Sequence, residues 1–234
     1  MAAVLLPARF RKRRSWVAPS MLVLCSACWV VFAVTIAVAV RFSGDTEWWK
    51  LSICALGIAG KSDMPWIFNS GVLVTGLLAT LLAARERQAF CDDTRRRVLT
   101  QRQRQAIIAV TLLIALQLAV IALVPYDLSS SAKLVHNLAG WGSGWAMWIS
   151  MLIAAVWIRD FDGRLYRATW VLASGLFGAF ILFELGSLTW AQAELIALAC
   201  SAGWTIGFFY VIEGRGEVSA HPGTACGSTA GPGS

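Results

Sequence analysis

The sequence predicts an all-α integral membrane protein, a six-helix transmembrane bundle that is N-in and C-in with a partly folded first external loop. Three observations predict it. The 234 residues are 58% hydrophobic and only 14% charged, where a soluble domain carries roughly 25% charged residues. The apolar residues come in blocks of about 18 or more, long enough to cross a hydrocarbon core roughly 30 Å thick. The charges, +7 net, alternate in density from loop to loop.

The spans read Val17–Val40, Trp66–Ala84, Ala106–Val124, Leu134–Ile158, Thr169–Gly186 and Ala191–Ile212. Residues 1–16 form a basic cytoplasmic segment, 17–212 the transmembrane domain, and 213–234 a tail rich in Gly, Ser and Ala that reads as disordered. Arg11 to Arg14 resemble the n-region of a signal peptide. The apolar block behind them exceeds the about 7–15 residues of an h-region, and no small-residue cleavage site precedes Arg41, so the first span is expected to stay.

Sixteen basic residues fall on one side: five within 9–14, seven within 85–104, three within 159–167, and Arg215. Only Arg41, Lys50, Lys61 and Lys133 fall on the other. The positive-inside rule places the sixteen in the cytoplasm. A merged or missed helix would scramble this split, so it also supports the count of six. The basic second loop is read as a topology signal, with anionic lipid headgroups as its alternative use. No aromatic residues interleave with its charges to stack bases, so nucleic acid is not expected as a partner.

Six cysteines stand at 25, 28, 54, 91, 200 and 226. Cys25 and Cys28 form a C-x-x-C inside an apolar helix, with no second pair and no histidine nearby, and read as small apolar residues. Cys54 is the one cysteine in a predicted external loop, which argues against a disulfide framework. Of the two histidines, His221 lies in the tail and only His136 in the bundle. Multi-histidine haem and zinc sites are therefore excluded, and no nucleophile elbow, Walker loop or dinucleotide fingerprint occurs. No metal, cofactor or catalytic residue is expected.

The informative polar residues lie near the outer leaflet. Glu184 precedes the external end of the fifth span by two or three residues, about 4 Å below the interface. Burying a carboxylate in the bilayer is costly, so it is expected to face the bundle or a water-filled opening. Asn69 lies in the first turn of the second span, His136 and Asn137 open the fourth, Asp127 follows Pro125, and Glu194 starts the sixth. Topology alone brings these groups to one depth. They are either helix caps and structural bonds, or an outward-opening pocket for a lipid headgroup made by Asn69, Asp127, His136, Asn137 and Glu184, with His136 and Glu184 as its ionisable pair. Both readings stay open on the residues alone.

The first external loop, Arg41 to Pro65, is too long for a hairpin, carries Trp48 and Trp49 near its start and is mostly apolar afterwards. Tryptophan favours the membrane interface, so the loop is expected to fold onto the outer surface of the bundle. Gly140 and Gly144 in GWGSG are expected to permit close helix contact, as are Gly71 with Gly76 and Gly175 with Gly178.

The loop and second span read LSICALGIAGKSDMPWIFNSG, and further on comes VPYDLSSSAKLVHNLAG. A Ser–x–x–x–Leu–Gly element, a following Phe–Asn–x–Gly, and a proline–aspartate loop ending in a histidine resemble the DRAM/FRAG/SFK superfamily of six-helix membrane proteins and its bacterial relatives. The matching positions are Ser52, Leu56, Gly57, Phe68, Asn69, Gly71, Asp127 and His136. The resemblance spans about residues 17–212 and implies a bundle engaged in lipid handling. Glu184 matches no motif position. The Ala- and Arg-rich composition points to a bacterial cytoplasmic membrane, where GPI-lipid chemistry would not transfer.

These readings favour a lipid-handling or lipid-sensing protein, non-enzymatic or weakly catalytic, with membrane lipids as partners. One rival is an accessory subunit that packs against a larger membrane complex through glycine faces and tryptophans. Another is an acyl- or headgroup-transferase with His136 as general base. A transporter lacks visible broken-helix halves.

Overall fold

A computed structural model describes residues 19–44, 47–92, 99–124, 126, 129–159 and 162–218. It contains six α-helices: α1 (Met21–Arg41), α2 (Pro65–Asp92), α3 (Gln101–Leu123), α4 (Ser130–Ile158), α5 (Gly163–Glu184) and α6 (Trp190–Val218). All six are long and apolar enough to cross a membrane, and no strand forms among the described residues. The chain is an all-α, multi-pass membrane bundle.

Local chemistry sets the ends. Ser20, Ser129 and Asp162 cap α1, α4 and α5 by accepting amides of the first turn. Thr100 and Gln103 close a capping box on α3, which satisfies two of the otherwise unpaired first-turn donors. Thr189 and Gln192 exchange the same pair of bonds at the start of α6. Gly186, at φ +71°, turns the chain out of α5 through the left-handed conformation that glycine adopts without strain.

Two helices outrun the apolar blocks that announced them. α2 continues past Ala84 to Asp92, because one face stays buried through the charged stretch: Thr75, Ala79, Leu82, Ala83 and Glu86 recur at helical spacing. α6 continues to Val218, so 213–218 is helical where a disordered tail was expected. The Glu213 carboxylate accepts the Met21 amide at 2.5 Å and so ties this end of α6 to the start of α1. The basic segment 1–16 and the tail from 219 onward lie outside the described residues, as do 93–98 of the basic second loop.

Each helix packs on its neighbours in chain order, and α6 closes back on α1, giving a ring of six. Side-chain bonds pin the closure: Trp29 Nε1 donates to Thr205 Oγ1 at 2.7 Å between α1 and α6, and Trp204 Nε1 donates to Thr169 Oγ1 at 3.0 Å between α6 and α5. Inside lipid the stabilisation comes from packing and such bonds, since leaving one apolar surface for another gains little. One buried cluster around Met151, Ile158 and Phe208 fills the half of the bundle that holds the start of α1. A second around Leu56, Phe68 and Val72 fills the outer half.

The glycines divide. A Cβ at Gly71 would fall onto the Thr35 side chain of α1, and one at Gly76 would lie 3.2 Å from the Ala115 carbonyl of α3. At Gly175 it would lie 3.0 Å from Cys200 Sγ of α6. These three serve close helix contact as expected. Gly140, Gly144 and Gly178 do not, for a Cβ at any of them meets nothing within 4 Å. Gly140 and Gly144 instead border open space inside the ring.

The first external loop is partly folded. It holds two short 3-10 turns, Trp48–Lys50 and Ile53–Gly57, and the second buries Ile53, Ala55 and Leu56 against the bundle. The loop ends are joined where the Asp63 amide donates to the Ser43 carbonyl at 3.0 Å.

Candidate functional site

The outer end of the ring is built around the loop. Ser52 caps the second 3-10 turn by accepting the Cys54 amide at 3.0 Å and donates its hydroxyl to Glu194 Oε1 at 3.2 Å. Glu194 Oε2 accepts the Ile53 amide at 2.5 Å, and its Oε1 also accepts Trp190 Nε1 at 2.7 Å. Thr189 Oγ1 donates to the Trp49 carbonyl at 2.6 Å. The first turns of α6 thus hold the loop in place. On the α2 side, Asn69 Nδ2 donates to the Gly57 carbonyl at 3.1 Å. Gly57 lies so close to α2 that an added Cβ would be 2.9 Å from the Phe68 ring. Of the motif residues, Leu56 and Gly57 pack on Phe68 and Asn69 of α2 and seat the loop there, Ser52 ties it to α6, and Gly71 faces Thr35 of α1 instead.

Under this loop, α4, α5 and α6 enclose a cavity of about 780 Å³. Its sides are aromatic. Trp190 packs edge-on to Trp141 and Phe183, with ring centroids 5.0 and 4.6 Å apart, and Trp148 stacks on Phe177 at 5.3 Å. Polar groups gather at its outer end: Lys50, Lys61, Ser52, His136, Asn137 and Glu194 all contribute to the wall. Tyr126 contributes as well and carries Lys133 Nζ 5.0 Å from its ring centre. Three of the four basic residues expected on the outer side therefore lie on or beside this cavity.

His136 has the most informative position. It is 4% exposed. Its Nδ1 lies 2.9 Å from the Val124 carbonyl, an atom that only accepts, so Nδ1 carries the hydrogen. The Tyr126 ring stands edge-on to the imidazole at 5.7 Å. Nε2 is buried and has no hydrogen-bond partner among the described residues, while the residue lines the cavity. Buried polar atoms are nearly always paired, so this nitrogen marks a place for a ligand group.

The five residues expected to form the headgroup pocket have different fates. His136 and Asn137 reach the cavity. Asn69 does not, because its amide is spent on the Gly57 carbonyl. Glu184, expected to face the bundle or a water-filled opening, is exposed at the last residue of α5 and lines neither of the two cavities described here. At the interface a carboxylate keeps its water, and no inward turn is required. Asp127 lies outside the described residues. The carboxylate on the cavity wall is Glu194, which the sequence placed in the polar layer without marking it as a ligand. A glutamate near the start of a helix reads as an ordinary helix-dipole preference, so nothing local set it apart.

Sequence reasoning also missed Glu86. It is 0% exposed, its Oε1 accepts the Thr111 hydroxyl at 3.0 Å, and its Oε2 has no partner among the described residues. Its place on the buried face of α2 was the available signal. Of the cysteines, Cys25, Cys28, Cys54 and Cys200 are free thiols. Burial, with the Glu194 charge adding to it and the Ser52 hydroxyl opposing, pushes the Cys54 thiol up to about 12.

Searches against protein-family models, curated proteins and solved structures find no match to this chain.

Proposed function

We propose that this chain is a lipid-handling membrane protein whose outer cavity receives a lipid headgroup. The observation that carries the reading is the His136 imidazole, held through Nδ1 with Nε2 buried and unpartnered on the wall of a cavity of about 780 Å³. In the neutral ring Nε2 accepts, so a headgroup hydroxyl or ammonium satisfies it. Lys61 at the same cavity, with Lys50 beside it already paired to Glu47 at 2.5 Å, favours an anionic phosphate next to that hydroxyl or ammonium. The aromatic sides suit the glycerol and first methylenes below, being apolar with polar edges. The resemblance to the DRAM/FRAG/SFK superfamily supports the lipid class, and composition supports a bacterial cytoplasmic membrane. The accessory-subunit reading is weaker, because Gly71, Gly76 and Gly175 are used inside the bundle.

An oriented, unpaired Nε2 is also what a general base requires, and on that atom the transferase reading rests as a second choice. The discriminating experiment adds phosphatidylglycerol or phosphatidylcholine to detergent-purified protein and follows thermal unfolding. Phosphatidylglycerol is expected to raise the melting temperature more than phosphatidylcholine, and Lys50→Gln with Lys61→Gln should abolish the difference. His136→Asn, which keeps a donor toward Val124 while removing Nε2, should weaken the phosphatidylglycerol effect. Equal response of all variants would sink the headgroup site. Lipid turnover lost in His136→Asn would promote the transferase.

A further inference from the structure

A second cavity lies in the axis of the ring, and the headgroup site makes no use of it. Its volume is about 250 Å³, and α1, α2, α3, α4 and α6 all contribute to its wall. Phe32, Val72, Ile114 and Leu118 are typical of that wall, which is mainly hydrocarbon and aromatic. Such cavities stay dry and accept apolar guests.

Five residues border both cavities: Cys54, Gly140, Gly144, Glu194 and Ala197. The two spaces approach each other along a seam where α4 faces α6, with Gly140 and Gly144 on one side and Ala197 on the other. Along α4, Trp141 and Trp145 turn to the outer cavity, and Ser143 and Met147 to the central one. Gly140 and Gly144 lie between these faces, one helical turn apart. Both are free of packing duty, since a Cβ at either meets nothing within 4 Å. A side chain at these positions would stand between the two spaces.

We propose that Gly140 and Gly144 form a window through which one hydrocarbon chain of the bound lipid passes from the outer cavity into the ring, making the central cavity a chain-binding site. The proposal rests on the headgroup reading. A lipid anchored at the level of Lys50 and His136 directs its chains away from the loop, along the aromatic sides and toward the glycines. The apolar wall suits a chain better than a file of ions or water.

The test uses two photoreactive phosphatidylglycerols in phosphatidylcholine nanodiscs holding the full chain. One carries a diazirine at the end of an acyl chain, the other carries it at the glycerol headgroup, and labelled residues are mapped by mass spectrometry. The chain-end probe is expected on central-wall residues such as Phe32, Val72 and Ile114, and the headgroup probe near Asn137 and Trp190. In Gly140→Leu with Gly144→Leu, central labelling should be lost while headgroup labelling persists, which also shows that the variant folds. In the unaltered protein, a short-chain version of the chain-end probe should label Trp148 and Phe177 instead. Headgroup labelling combined with chain-end labels only on outward residues such as Leu116, Val156 and Val171 would overturn the window and leave the headgroup site standing. Absence of both labels from both cavities would overturn the headgroup reading and the window together.

Discussion

Glu194 Oε2 accepts the Ile53 amide at 2.5 Å, joining the start of α6 to a loop residue 141 positions earlier. With Ser52 and Trp190 also donating to this carboxylate, one side chain fixes both the loop and the aromatic corner of the outer cavity. Glu194→Ala leaves these donors without their acceptor, at a cost of about 1–3 kcal/mol. The variant should melt lower in detergent and be cut faster by protease within 47–64. Glu194→Gln retains one acceptor oxygen and should fall between alanine and the unaltered protein.

Cys54 gives a pH signature for the same contact. Its thiol is raised from an ordinary 9.0 to about 12, chiefly by burial. The thiolate is the reactive form, so alkylation in a chain whose other cysteines are alanine should be slow at neutral pH. The rate should keep climbing past pH 9 instead of levelling there. Adding Glu194→Ala removes the nearby charge and frees the loop, so reactivity should move toward lower pH. A labelling curve with its midpoint near 9 in the unaltered loop would contradict the seated geometry.

Two glycines on separate helices, α2 and α5, should respond oppositely to alanine. Gly71→Ala drives a methyl onto Thr35, and overpacking of this kind costs about 1–3 kcal/mol. Gly178→Ala meets nothing within 4 Å and should gain up to about 1 kcal/mol of helix propensity. Melting temperatures of the two variants decide the matter directly.

The buried Glu86 and Thr111 form a pair whose worth a double-mutant cycle can measure. Thr111→Val removes the hydroxyl that serves Oε1 and leaves a fully buried carboxyl unserved, costing about 1–3 kcal/mol. Glu86→Leu combined with Thr111→Val removes both polar groups and should be close to neutral or stabilising. A double variant as unstable as the single one would assign Glu86 a further structural partner.

Six spans were legible because length, apolarity and the distribution of arginines are properties of whole segments, insensitive to detail. Helix ends were less so. α2 runs past Ala84 because burial of Glu86 depends on what faces it, and an arginine-flanked glutamate looks interfacial in the sequence. The folding of the loop onto the bundle was legible from its length and tryptophans, but its anchor was not, since Ser52 meets Glu194 across 142 positions. The pocket was legible in part. Depth places His136 and Asn137 at the cavity, but rotation about each helix axis decides the rest, and that turned Asn69 toward Gly57 and left Glu184 exposed. Gly140 and Gly144 show the same gap: a small residue permits contact or leaves space, and only the neighbouring helices determine which.

The most direct measurement is native mass spectrometry of the protein released gently from its own membrane, alongside His136→Asn. The account predicts a retained lipid with an anionic, donor-bearing headgroup, and its loss or marked weakening in the variant. A protein that carries no specific lipid, or carries it equally well without His136 Nε2, would contradict the headgroup site, and a protein partner held at fixed ratio in its place would identify an accessory subunit.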